Sequence, residues 1–89
     1  MSQDKTEPLT ADQIRAARAL LRWSAEDLAR RSSISLRTIR RAELSEVQTA
    51  LTMANNLALR RALEAAGVEF IDENGGGAGA RLRKPRKRK

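Results

Sequence analysis

From position 10 the chain alternates short amphipathic runs with polar breaks, and four of the runs have helical spacing. Ile14, Ala17, Leu20 and Leu21 recur at intervals of about three to four, the period of one helix face. Thr10 precedes them with Gln13 three residues on, the spacing of a capping box. A helix is predicted over 11–22, with Arg15, Arg18 and Arg22 on its polar side. Ser24 is the next cap. Glu26 and Asp27 suit the positive end of a helix over 25–31, with Leu28 and Ala29 inward. After the break Ser32-Ser33-Ile34, Ser35 caps a helix over 36–43, with Ile39 inward. Thr52 caps a longer helix over 53–66, in which Met53, Leu57 and Leu63 share a face widened by Leu59, Ala62 and Ala66. Gly67 suits the left-handed position that closes a helix. Leu44, Val47 and Leu51, in the connection at 44–51, are expected to cover the bottom of the core.

Beyond Gly67 the pattern changes. Val68-Glu69-Phe70-Ile71 is β-branched and aromatic, a glycine-rich stretch follows, and Ala80-Arg81-Leu82-Arg83 alternates with a period of two. This predicts a small hairpin over 68–83, ended by Pro85. A lone hairpin is marginal in water, so it must lie on the helices or pair with the same hairpin of a second chain. Residues 1–9 are expected to be a disordered lead-in and 84–89 an unstructured basic tail. The fold class expected is mainly α: a domain of four main helices over 10–67, then the hairpin.

Composition narrows the chemistry. Eighty-nine residues suit one small domain. Cysteine and histidine are both absent, which removes disulfides, thiolate metal sites and the commonest general base. No catalytic residue, metal or cofactor is expected, and an enzyme is the reading disfavoured most. No stretch approaches the roughly 20 apolar residues of a membrane span, and the polar N-terminus has no apolar signal region. A cytoplasmic location and no membrane partner are expected. The net charge is +7, from 18 Lys and Arg against 11 Asp and Glu. Seven of the basic residues lie within 81–89, so residues 1–80 are neutral overall. Charge is nevertheless segregated within the folded part: Arg30, Arg31, Arg37, Arg40 and Arg41 crowd into twelve residues with no acid among them.

The segment 24–43, SAEDLARRSSISLRTIRRAE, therefore carries the most information. Arg37 lies three residues from Arg40 and four from Arg41, spacings at which like charges repel along a helix. A phosphate-rich partner relieves that repulsion, and arginine forms paired bonds to guanine in a major groove wide enough for a helix. Residues 10–71 resemble the small XRE-type, phage-repressor-like helix-turn-helix regulators, over about two-thirds of the chain. Trp23-Ser24-Ala25-Glu26-Asp27-Leu28-Ala29 is similar to the family's second-helix opening, with Ala29 at the small-residue position. Ile34 and Ile39 match its inward positions, and Ser35-Leu36-Arg37-Thr38-Ile39-Arg40-Arg41 resembles the start of a recognition helix. Arg60-Arg61-Ala62-Leu63-Glu64-Ala65-Ala66-Gly67-Val68-Glu69-Phe70 resembles the family's last helix and strand. Ser33 departs from the usual turn glycine, and Ala42 stands where a larger apolar residue is common.

The resemblance implies a sequence-specific, double-stranded DNA-binding transcriptional regulator, with the helix from Leu36 in the major groove. It makes Leu36, Arg37 and Arg41 the base-facing residues and lets Arg40 reach a base or a phosphate. Ser35 and Thr38 are placed as phosphate donors, and Ser24 with its neighbouring amides near the backbone. A homodimer on an inverted repeat is expected, joined through the fourth helix and the 68–83 hairpin, and most simply a repressor. RNA polymerase or another regulator is a further candidate protein partner. For the arginines the plain alternative is a solvated face paired with Glu26, Asp27 and Glu43, and this weighs more for Arg30 and Arg31 than for Arg37 and Arg41. Arg15, Arg18, Arg60 and Arg61 read as surface residues or ion-pair partners, and Trp23 as a core-edge residue. Lys84, Arg86, Lys87, Arg88 and Lys89 form a phosphate-binding arm, a solubilising end, or a contact for another partner. A second function stands beside the first: an antitoxin-like or adaptor protein that binds another protein through 68–83, with DNA binding secondary.

Overall fold

A computed structural model describes residues 8–44, 51–73 and 75–84. It consists of four helices, α1 (Ala11–Leu21), α2 (Ala25–Ser32), α3 (Leu36–Leu44) and α4 (Met53–Ala65), followed by strands β1 (Val68–Ile71) and β2 (Gly79–Leu82). The caps set the starts. The Thr10 hydroxyl accepts the Gln13 N–H, and the Gln13 side chain accepts the Thr10 N–H, both at 3.0 Å. Ser24 and Asp27 repeat that exchange at the start of α2. The Thr52 hydroxyl accepts the Asn55 N–H at the start of α4. Each bond satisfies an amide that the first helical turn leaves unpaired.

The stops are equally local. α1 ends one residue before the expected 22. Arg22 is left-handed (φ 59°, ψ 39°), its N–H donates to the Ala19 carbonyl, and the Trp23 N–H reaches back to the Arg18 carbonyl. Arginine has no preference for that conformation, but it turns Trp23 back onto the core, the apolar contact that accompanies this kind of stop. α4 closes at Ala66, and Gly67 takes φ +109° as expected.

Leu9, Ile14, Ala17, Leu28, Ile39, Ala42, Leu59, Leu63 and Val68 form one buried core drawn from all four helices and β1. α2 packs on α3 and α4, while α1 packs on α3 and on both strands. Ala42 is 1% exposed, so a small side chain lets α3 lie close to the core. Three expectations need correction. Leu9 is fully buried and its N–H donates to Asn56 Oδ1 at 2.9 Å; the expected lead-in ends before it, and residues 1–7 lie outside the described residues. Leu44 is 81% exposed, because its place in the helical turn falls opposite Ile39 and Ala42. Met53 is 71% exposed and Leu57 half-buried, so α4 faces inward through Asn56, Leu59 and Leu63. Leu51 packs on the core, and Val47 lies outside the described residues.

β1 and β2 are antiparallel, pairing Val68 with Leu82, Glu69 with Arg81, Phe70 with Ala80 and Ile71 with Gly79. β2 thus begins one residue before the expected position. Val68, Phe70, Ala80 and Leu82 share the inner face. Glu69 and Arg81 pair across the outer face at 3.2 Å. The hairpin lies on the helices, as one of the two expected solutions requires. Gln13 Nε2 donates to the carbonyls of both Ile71 (3.2 Å) and Gly79 (3.1 Å), fastening the hairpin to α1.

Candidate nucleic-acid interface

The turn between α2 and α3 spans residues 33–35. Ser33 adopts φ 61°, ψ 25°, and its N–H closes α2 on the Ala29 carbonyl at 2.9 Å. The left-handed geometry of a turn glycine is thus kept without glycine, at a cost of about 1 kcal/mol. The Ser32 hydroxyl, which is buried, donates to the Leu28 carbonyl (2.7 Å) and accepts the Ile34 N–H (3.2 Å). These two bonds set the path of the chain into α3. The Ser35 hydroxyl accepts the Thr38 N–H at 3.1 Å, as a cap should.

α3 buries Ile39, Ala42 and Glu43. At 100° per residue this places Arg37, Arg41 and Leu44 in one stripe on the opposite side, with Arg40 at its border. Arg37, Arg40 and Arg41 are all exposed, and Leu36 and Thr38 are half-buried at the flanks. The arginines fall into two groups. Arg30 pairs with Asp27 at 2.5 Å, Arg40 with Glu26 at 3.4 Å, and Arg31 lies over the Trp23 ring at 4.8 Å. Arg37 and Arg41 make no ion pair among the described residues.

The inner side of α3 is held by two arginines of α1. Arg18 Nε and Nη2 donate to the two Glu43 carboxylate oxygens, each at 2.8 Å, and Nη1 donates to the Trp23 carbonyl at 3.1 Å. Arg15 donates to the Glu43 carbonyl and to Asp12; the first of these bonds caps an orphan carbonyl near the end of α3. The Glu43 hydrogen bond raises the Arg18 pKa above its ordinary value against the opposing effect of burial. From sequence alone Arg18 reads only as a surface or ion-pair residue. The available signal was Glu43, an acid on the same side of α3 as Ile39 and Ala42.

Two expected phosphate donors are largely occupied. The Ser24 N–H donates to Asp27 Oδ2 at 2.9 Å, and the Asp27 N–H donates to the Ser24 hydroxyl at 3.0 Å. The capping box consumes both amides and lowers the Asp27 pKa, chiefly through the Ser24 N–H. The Ser35 hydroxyl donates to Thr38 Oγ1 at 2.9 Å, leaving the Thr38 proton as the donor of that pair.

No family model, curated protein or solved structure matches the chain. Lys84 is exposed just beyond β2. Arg86, Lys87, Arg88 and Lys89 lie outside the described residues. Among the described residues no helix is long and apolar enough to cross a membrane, and no cluster of three or more acidic, Cys or His side chains is placed to hold a metal ion.

Proposed function

We propose that the protein is a sequence-specific double-stranded DNA-binding transcriptional regulator of the XRE-type helix-turn-helix kind, located in the cytoplasm. The carrying observation is the outward stripe of α3: Arg37 and Arg41 are exposed and without ion-pair partners among the described residues, on a helix whose other side is clamped to α1. Exposed cations on a helix held from its other side suit a groove between two phosphate chains. Arg37 and Arg41 read bases, Leu36 meets a thymine methyl, Arg40 borders the groove, and Thr38 donates to a phosphate. The tail, with Lys84, adds sequence-independent phosphate attraction.

The protein acts as a homodimer on an inverted repeat, most simply as a repressor. The Arg83 N–H donates to the Gly67 carbonyl at 2.7 Å, so alternation makes 69/81 and 71/79 the hydrogen-bonded pairs. The backbone groups of Val68, Phe70, Ala80 and Leu82 then point to the outer edges, where no third strand lies among the described residues. A second copy can pair there.

The test is selection of duplexes from a random pool by the full chain, followed by binding of Arg37→Ala to the selected site. Loss of about 1–3 kcal/mol of discrimination supports the reading. Failure to bind any duplex overturns it. The adaptor reading has its own observation: Ile71 is 38% exposed on the outer face of the hairpin. Co-purification of a stoichiometric heteromeric partner, abolished in Ile71→Lys, would favour it.

A further inference from the structure

Glu26 is the acidic residue at the border of the cationic stripe, and like Asp27 it lies in the first turn of α2, where negative charge suits the helix end. Asp27, its neighbour, completes the capping box with Ser24 and pairs with Arg30. The Glu26 carboxylate reaches across to α3 instead, where Arg40 Nη2 donates to Oε2 at 3.4 Å. Both side chains are more than half exposed, and an exposed pair of that length adds little to stability.

We propose that Glu26 is a specificity-determining residue of this interface: its carboxylate engages Arg40 and so suppresses binding to DNA of the wrong sequence. The inference rests on the DNA-binding reading above. An uncompensated arginine beside a groove attracts the phosphates of every duplex equally. A carboxylate at its flank repels those phosphates and occupies one of the five guanidinium donors. The donors left over stay in a fixed plane, suited to the paired acceptors of a base edge. Backbone-only binding is penalised in full, whereas binding with base contacts keeps its directional bonds. Discrimination of this kind comes from a repulsive element rather than from a new attraction.

The experiment uses the full chain, wild type and Glu26→Gln, each also with Arg40→Ala. Affinities are measured over a salt series for a duplex selected by the wild type and for a scrambled duplex of equal composition. Glu26→Gln tightens binding to the scrambled duplex about two- to five-fold and steepens its log-affinity against log-salt slope by about 0.9. The selected duplex changes less, so the ratio falls. With Arg40→Ala the steepening shrinks, because only the direct repulsion between carboxylate and phosphate is then left to remove. An unchanged ratio and slope in Glu26→Gln, or the same steepening with and without Arg40, overturns the inference. A wild type that binds no duplex removes the DNA-binding reading itself. A wild type that binds and loses site preference in Arg37→Ala, but shows no effect of Glu26→Gln, removes this inference alone.

Discussion

Glu43→Gln tests how α3 is held. The substitution keeps the shape of the side chain and removes its charge. Arg18 then remains a cation beside an amide that offers one oxygen in place of two. In the native protein its guanidinium makes two 2.8 Å bonds to that carboxylate, and the two side chains are only 23% and 10% exposed. Removing one partner of a fully buried pair costs about 3–5 kcal/mol. The partial exposure of Arg18 and the retained amide oxygen reduce this to about 2–3 kcal/mol, a large share of the stability of a small domain. In a domain of this size the melting temperature falls by about 10–20 °C. Urea unfolding followed by helical circular dichroism measures the change. The paired replacement Arg18→Met with Glu43→Leu supplies the control, because apolar substitution of both partners is often neutral, and it should lie within about 1 kcal/mol of wild type. A destabilisation in Glu43→Gln below about 0.5 kcal/mol, the scatter of surface substitutions, refutes the reasoning. So does a paired variant as unstable as the single one.

Ser33→Gly relieves the left-handed serine but adds freedom to the unfolded chain, for a net stabilisation of about 0.5 kcal/mol, read from the urea midpoint. Asp27 has a folded pKa below the ordinary carboxylate value. Its contribution is therefore present at neutral pH, above the unfolded pKa, and is lost as pH falls through the folded value. Asp27→Asn should flatten the acid limb of a stability–pH curve, and coincident limbs would contradict the capping account. Gln13→Leu leaves the Ile71 and Gly79 carbonyls without its amide and should cost about 1–2 kcal/mol, with faster amide exchange concentrated in the hairpin. Deleting residues 84–89 should weaken binding to all duplexes alike and flatten the salt slope by about 0.9 for each phosphate the tail no longer neutralises.

Helix starts were legible in the sequence because their determinants are local. Thr10 with Gln13, Ser24 ahead of Asp27, and Thr52 with Asn55 each place an oxygen three residues from the amide it satisfies. Ser33 was legible as a departure from glycine, and the turn geometry holds despite it. What escaped depends on distant partners. Leu9 packs into the core, and its amide finds its acceptor on Asn56, 47 residues away. The Arg18–Glu43 clamp joins residues 25 apart, and neither charge announces the other in a pattern of apolar spacing. Leu44 and Met53 are apolar residues on outward sides of their helices. Leu44 was expected to cover the core from the connection at 44–51, and Met53 to face inward with Leu57 and Leu63, because spacing alone does not fix which side of a helix meets the core. At the candidate interface, the exposure of Arg37, Arg40 and Arg41 followed from the helical period. The division, among the described residues, between arginines with and without an ion-pair partner needed the neighbouring α2 carboxylates in place.

Whether the outward stripe of α3 meets duplex DNA decides the functional reading. Titration of the isotopically labelled full chain with a selected duplex, followed by amide chemical shifts, tests it most directly. The largest shifts are expected at residues 35–41, smaller ones near the start of α2, and little change at Glu69 and Arg81 on the outer face of the hairpin. Largest shifts on that outer face, with residues 35–41 unmoved, would contradict it.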